Sequence, residues 1–236
     1  ELILFHRGGV GAAGALAEIS ETIRKDFRSV DTRTTRIILI DLADRVLTPF
    51  HPELSERARR DLEHLGVEVL LQTRVIDVDE RGLTAETPDG PKRIDANNVI
   101  WAAGVKGVPL GAKLGAEVDR AGRVVVGPGL TIAGHDNVFG VGDLAHCIDP
   151  RTDKPLPGVA QVAIQGGAFA GKTIAAELEA RQRGRPNPPR EAFRYNDKGS
   201  MAIIGRNHAV VQMGNLRFGG VFAFLLWAVV HILFLI

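Results

Sequence analysis

The chain has 236 residues, 45% hydrophobic and 24% charged, with a net charge of +1; this is enough for one large domain or two small ones. Such a composition excludes a disordered chain, a disulfide-rich secreted scaffold and a broadly basic nucleic-acid binder. One cysteine, Cys147, cannot form an internal disulfide, and the seven histidines show none of the spacings of a zinc site, so no metal centre is expected.

Leu2–Phe5 is a short apolar run between Glu1 and Arg7, too short for a secretory signal. A glycine cluster follows, and the Ala, Leu and Glu content of residues 12–25 predicts a helix, giving strand, turn, helix. Residues 36–40 (RIILI) read as a buried strand ending in Asp41. Pro52 suits a first helical position, and Leu54, Ala58, Leu62 and Leu65 recur at helical spacing until Gly66. Residues 67–71 supply another strand. Residues 73–79 and 83–87 alternate around a turn at 80–82, and a second turn at 88–91 predicts a small antiparallel meander. Residues 99–102 return to a buried strand. The series β, α, β, α, β, meander, β describes a dinucleotide-binding unit.

From Lys106 the pattern changes. Residues 123–126 and 137–139 predict short strands of a different sheet, and 161–179 predict a helix rich in Ala and Gly. Residues 181–190 (RQRGRPNPPR) form a basic, Pro-containing linker, and 193–217 alternate as short strands. The final stretch, 221–236, reads VFAFLLWAVVHILFLI, with His231 its single polar residue. Continued from 218, it would make a helix about 28 Å long, close to a hydrocarbon core of about 30 Å. Membrane contact is favoured over a buried core helix. The apolar run ends without a polar cap, which predicts a piece of something longer.

Gly9, Gly11 and Gly14 spell G-x-G-x-x-G between a strand and a helix. Glycines there let the backbone approach a pyrophosphate whose charge rests on the helix N-terminus, although a glycine-lined helix-packing turn has the same spelling. Asp41, at the end of the second strand, can hold a ribose diol. It would also disfavour an added 2′-phosphate by up to ~4 kcal/mol per charge pair at about 4 Å and an effective dielectric of 20, part of which Arg45 offsets. NADH is therefore expected over NADPH. Residues 139–143 (FGVGD) place a carboxylate at a sheet edge with no side chains in its way, or else form a turn closed by an Asx bond.

Residues 102–105 (AAGV), VFGVGDLAHC, LPGVAQVAIQGG and YNDKGSMAIIG, in this order and followed by an apolar tail, resemble the type II NADH:quinone oxidoreductases. The resemblance covers the chain from Ala13 onward. It implies an α/β protein with two Rossmann-like dinucleotide-binding domains, one for NADH at 1–104 and one for FAD, incomplete here, at 105–192. A membrane-anchoring region at 193–236 follows. The first half of the FAD domain is expected before Glu1. By resemblance Ala103, Gly104, Gly142, Asp143 and Ala160 belong to the cofactor sites, with Asp143 bonded to the ribityl chain of FAD. The helix beginning near Gly158 would aim its N-terminus at the flavin pyrimidine end and favour the anion of reduced flavin. Gln161 and Gln165, one turn apart, would meet a quinone head group, and Lys198 would place positive charge beside the flavin. A membrane quinone, the bilayer surface and a second copy of the chain are the implied partners. The implied location is the cytoplasmic face of the cell inner membrane, docked on one leaflet.

The glycine turn departs from the family pattern GGGPTGVELAGALAE. Aligning AGALAE puts Gly9 on the last fingerprint glycine, His6 and Leu4 on the earlier ones, and Gly11 on the glutamate. Either the turn has shifted to Gly9, Gly11 and Gly14, or the first dozen residues are a damaged junction. Disulfide reductases and sulfide:quinone oxidoreductases need paired redox cysteines, which one Cys argues against. A non-catalytic nucleotide-binding, membrane-docking fragment is the rival of a different class.

Overall fold

The computed structural model of the chain describes residues 2–5, 9–23, 35–102 and 104–233, in a mixed α/β architecture. Two compact units are formed, one by Glu1–Gly104 with Lys198–Ile236, the other by Val105–Asp197.

In the first unit β1 (Leu2–Phe5) precedes α1 (Gly9–Thr22), followed by β2 (Ile37–Ile40), α2 (Pro52–His64) and β3 (Val67–Leu70). Next come β4 (Arg74–Asp79), β5 (Gly82–Thr87), β6 (Gly90–Asp95) and β7 (Asn98–Trp101). The strands β3, β2, β1 and β7 make a parallel sheet in that order, and the antiparallel meander β4–β5–β6 replaces a helical crossover between β3 and β7. IILI is apolar at every position because β2 is covered on both faces. Ile37 and Leu39 share a core with Val10, Ala13, Leu54, Ala58 and Leu62 of the two helices. Ile38 and Ile40 point the other way, to Leu83, Ala85 and Ile94 of the meander. Each such fully buried side chain contributes roughly 1.5–3 kcal/mol.

The second unit contains α3 (Leu110–Lys113), β8 (Val124–Val125), β9 (Thr131–Ile132) and β10 (His135–Phe139). A 3-10 turn at Gly142–Leu144, β11 (Ala145–His146), β12 (Ile148–Asp149), β13 (Lys154–Pro155) and the long α4 (Ala160–Gln182) complete it. Among the described residues its strands pair only two by two, so the expected second Rossmann-like sheet is absent as a continuous layer. A core of Val124, Val126, Leu130, Ile132, Cys147, Phe193 and Tyr195 holds the unit together. The linker is tied back to α4, since Arg190 donates to Glu177 at 2.5 and 3.1 Å.

The chain then re-enters the first unit as β14 (Ser200–Gly205), β15 (His208–Met213), β16 (Leu216–Gly219) and α5 (Val221–Leu233). The three strands form an antiparallel sheet that covers α1 and α2. Alternation along β15 serves both faces: Val210 enters the helix core, while Ala209 and Val211 meet Ala223, Phe224 and Leu226 of α5. Contact between α1 and β14 is so close that a β-carbon on Gly14 would lie 1.7 Å from the Ile204 carbonyl oxygen, and one on Gly11 3.1 Å from that of Ile203. One turn on from Gly14, Glu18 accepts the Arg206 amide at 2.6 Å.

Gly9 opens α1, and Gly11 and Gly14 lie within it, where their missing side chains admit β14. Residues 6–8, which connect β1 to α1, lie outside the described residues. From Lys198 onward the C-terminal stretch completes the first unit. The apolar tail forms a 13-residue helix, about 20 Å long, with one face on β15. Among the described residues no helix is long and apolar enough to cross a membrane.

Gly14→Ala should therefore lower the unfolding free energy by about 1–3 kcal/mol through overpacking, even though Ala outranks Gly in a helix by ~1 kcal/mol. Urea denaturation measures this, and a Gly14→Ala protein as stable as the parent would contradict the close approach.

Candidate functional site

In the first unit the carboxyl ends of the parallel strands are the natural ligand edge. The order β3-β2-β1-β7 sets the start of α1 between Asp41, which follows β2, and Gly104, which follows β7. Asp41 is buried, and its Oδ1 accepts the Ala43 amide at 2.9 Å, forming an Asx turn. Its Oδ2 has no hydrogen-bond partner among the described residues. Nearby, Arg45 donates to the Thr48 carbonyl at 3.2 Å and lies 3.5 Å from Asp44, while its Nε and the Thr48 hydroxyl are buried without partners among the described residues. Gly104 has a left-handed φ of +91°, and Ala103 lies outside the described residues.

In the second unit a cleft is lined by Val141, Gly142, Asp143, Pro157, Gly158 and Val159. Gly142 takes a φ of +70° and starts the 3-10 turn, which leaves the Asp143 carboxylate exposed. A β-carbon on Gly158 would stand 3.9 Å from Asp143 Oδ1, so the bare backbone before α4 leaves room beside this carboxylate. Ala160 is the first residue of α4, and no side chain caps the preceding Val159. The Val162 amide donates to the Val159 carbonyl at 3.0 Å, so the amides of Ala160 and Gln161, with the positive end of the helix dipole, are the groups that can meet a negative or hydrogen-bond-accepting group.

The helix presents two distinct faces. Val159, Val162, Ala163 and Gly166 line the cleft with Asp143, whereas Gln165, Ala168, Phe169 and Lys172 line a groove against residues 191–194. Gln161 lies one turn before Gln165, and its carboxamide has no partner among the described residues. The carboxamide of Gln165 is engaged instead: Nε2 donates to the Asn196 carbonyl and Oε1 accepts the Asn196 amide, both at 2.9 Å. Gly142, Asp143 and Ala160 thus share one cleft, and neither glutamine lines it. Lys198 belongs to the other unit and is exposed.

Arg123 also lines the cleft and was missed by motif reading. Its side chain bonds Asp119 at 2.8 Å and reaches His146 Nδ1 at 3.0 Å. Desolvation opposes ionisation of Asp119, yet the Arg123 amide and guanidinium hold its carboxyl below the usual carboxylate range. The four-residue spacing of Asp119 and Arg123 was the available signal. Cys147 lines the same cleft, and burial, followed by the charge of Asp149, pushes its thiol up.

A family model described as pyridine nucleotide-disulphide oxidoreductase matches residues 9–167. Over 235 residues the chain is 44% identical to the type II NADH:quinone oxidoreductase Ndh of Mycobacterium tuberculosis, covering 97% of this chain and 48% of that protein. Over 207 residues it is 32% identical to a type II NADH:quinone oxidoreductase of Staphylococcus saprophyticus, covering 86% of this chain and 50% of that protein. The chain spans about half the length of the curated relatives it matches. The solved structure of NDH2 from Plasmodium falciparum in complex with NADH matches the fold with a TM-score of 0.86 at 17% identity, covering 100% of this chain and 62% of that one. The chain belongs to the pyridine nucleotide-disulphide oxidoreductase family, and over nearly its whole length it is similar to type II NADH:quinone oxidoreductases.

Proposed function

We propose that this chain is the part of an NADH:quinone oxidoreductase that binds NADH, holds the flavin end of FAD and receives a membrane quinone. The observation that carries the proposal is the meeting, in one cleft, of an exposed carboxylate, a glycine-bare approach and an uncapped helix N-terminus, formed by Asp143, Gly158 and Ala160. These groups fit the flavin end of FAD: a carboxylate accepts hydrogen bonds from a polyol, and the helix terminus favours negative charge on what it faces. When bound, FAD supplies the two-electron carrier between NADH and quinone.

On the nucleotide side, the unshared Oδ2 of Asp41 can accept a ribose hydroxyl and would repel a 2′-phosphate. Gly9 at the start of α1 and Ala103 and Gly104 after β7 flank that position in the chain. On the quinone side, the free carboxamide of Gln161 can donate to a quinone carbonyl, with Gln165 one turn further along α4. Lys198 adds an exposed positive charge. Paired redox cysteines are not available within this chain, whose single thiol is buried, and this favours quinone over a disulfide as electron acceptor.

The outward stripe of α5, formed by Phe222, Leu225, Val229, Ile232 and Leu233, suits docking on one leaflet. Quinone then reaches its site from the bilayer while NADH arrives from water, with the cytoplasmic face of the inner membrane as the proposed location.

Stopped-flow absorbance of the holoenzyme tests the redox proposal. NADH should bleach the flavin at least about tenfold faster than NADPH at equal concentration, well within the ~4 kcal/mol that a close charge pair is worth at an effective dielectric of 20. Menadione should then restore the colour. Asp41→Asn keeps an acceptor for the Ala43 amide, and it should narrow the gap between the two nucleotides. Equal rates in the parent protein, or a bleached flavin that menadione leaves bleached, would contradict the proposal.

Docking is tested by sedimentation with phosphatidylglycerol vesicles. Phe222→Asp with Leu225→Asp should weaken vesicle binding by at least about tenfold, since burying each apolar side chain is worth roughly 1.5–3 kcal/mol. Unchanged partitioning would remove α5 from the membrane contact.

A further inference from the structure

Asp143 stands on a single 3-10 turn, Gly142–Leu144, a conformation with few hydrogen bonds of its own and poor geometry in them. The turn closes where the Ala145 amide donates to the Gly142 carbonyl. Before it, the Gly140 amide donates to the Leu130 carbonyl at 2.9 Å. After it, β11 is only two residues long: Ala145 pairs with Val124 and His146 with Val125, and the His146 carbonyl accepts the Val126 amide at 3.1 Å. So short a ladder is slight support, and what holds the side chain of His146 decides how firmly the turn ends.

His146 is half-buried, and its Nδ1 lies 3.0 Å from Arg123 Nη2. Arginine only donates, so the imidazole accepts there through an unprotonated Nδ1 and carries its hydrogen on Nε2. Arg123 immediately precedes β8, the strand that β11 pairs with, and it is braced in turn. Asp119 Oδ2 accepts the Arg123 Nε at 2.8 Å, while Asp119 Oδ1 accepts the amides of Ala121 and Arg123, both at 2.9 Å. Asp119 Oδ2 also stands 3.2 Å from His146 Nδ1. A carboxylate only accepts, however, so it bonds that nitrogen only where the nitrogen carries a hydrogen.

We propose that His146 is a positioning residue for the cleft carboxylate: the bracket Asp119–Arg123–His146 fixes the end of the 3-10 turn and so aims Asp143 at its ligand. This rests on the reading of the Asp143 cleft as the flavin site. Arg123 lines the same cleft, so the brace lies in the wall that it steadies.

The test compares His146→Leu, His146→Asn and Asp143→Asn in the holoenzyme. Leucine removes the acceptor, whereas the side-chain oxygen of asparagine replaces Nδ1. Amide hydrogen exchange at Ala145, whose bond closes the turn, should quicken by about five- to tenfold in His146→Leu, with Ala170 of α4 unchanged as a control for folding. His146→Asn should stay within about twofold of the parent. FAD release, read as the rise of free-flavin fluorescence on dilution, should be at least about fivefold faster in His146→Leu and restored in His146→Asn, because a preorganised group binds at lower cost. Asp143→Asn should hasten release as well. In isotope-labelled parent protein at about pH 8, nitrogen NMR should show an unprotonated Nδ1 for the imidazole that His146→Asn removes, a reading that holds even if His146→Leu folds poorly. Unchanged Ala145 exchange in His146→Leu, FAD release there as slow as in the parent while Asp143→Asn hastens it, or a hydrogen-bearing Nδ1 would overturn the proposal. Parental FAD release in Asp143→Asn would instead overturn the flavin reading of the cleft, while the exchange and the nitrogen signal decide the bracket by themselves.

Discussion

The first unit depends on how closely α1 approaches β14. Two helical backbones and a strand share one core because Gly14 carries nothing that would strike the Ile204 carbonyl, and that approach lets Ile204 and Val210 pack beside Val10, Ala13, Leu54 and Leu62. Layers follow in sequence from this contact: meander, parallel sheet, helix pair, antiparallel sheet, α5. Glu18, bonded to the Arg206 amide, fixes the hairpin turn to the same helix. Residues nearly two hundred positions apart thus form a single core, and the strand-end edge that carries Asp41 is built on it.

In the second unit the comparable device is α4. It has few buried positions, Gly166, Ala170 and Glu177, and works instead through its ends and faces. Its N-terminus and one face line the cleft of Asp143; the next face carries the two glutamines; Glu177, near its far end, holds Arg190 of the linker. A helix placed this way holds different groups at fixed, short distances along one rigid rod, so the geometry comes from secondary structure rather than from loops.

Much of this was legible in the sequence. Pro52, the spacing of Leu54, Ala58 and Leu62, and the turns between 80 and 91 mark their elements to within a residue or two, because local propensity and periodicity agree with the packing there. The exposed position of Asp143 followed from a strand ending in bare glycines. Gly11 and Gly14 of α1 make close contact with Ile203 and Ile204, which no local pattern reveals; a fingerprint and a packing helix are spelled alike. The packing of the tail was hidden for a related reason. A sequence apolar on every side does not show which face is covered, and one face of α5 is accounted for by Ala209 and Val211 of β15. Gln165 gave no warning of its engagement, since its partner is the backbone of Asn196, and backbone groups carry no residue-type signal.

Two tryptophans sit in distant layers of the first unit, Trp101 on β7 and Trp227 on α5, and they allow its unity to be measured. In Trp227→Phe the remaining fluorescence reports the parallel sheet, and in Trp101→Phe it reports the C-terminal layer. If α1 and β14 share one core, urea unfolding followed through the two probes, after correction for each variant's stability by far-ultraviolet dichroism, should give coincident transitions. A Trp227 transition at clearly lower urea than the dichroism of the same variant would show that β14–α5 detaches on its own, and would contradict the account.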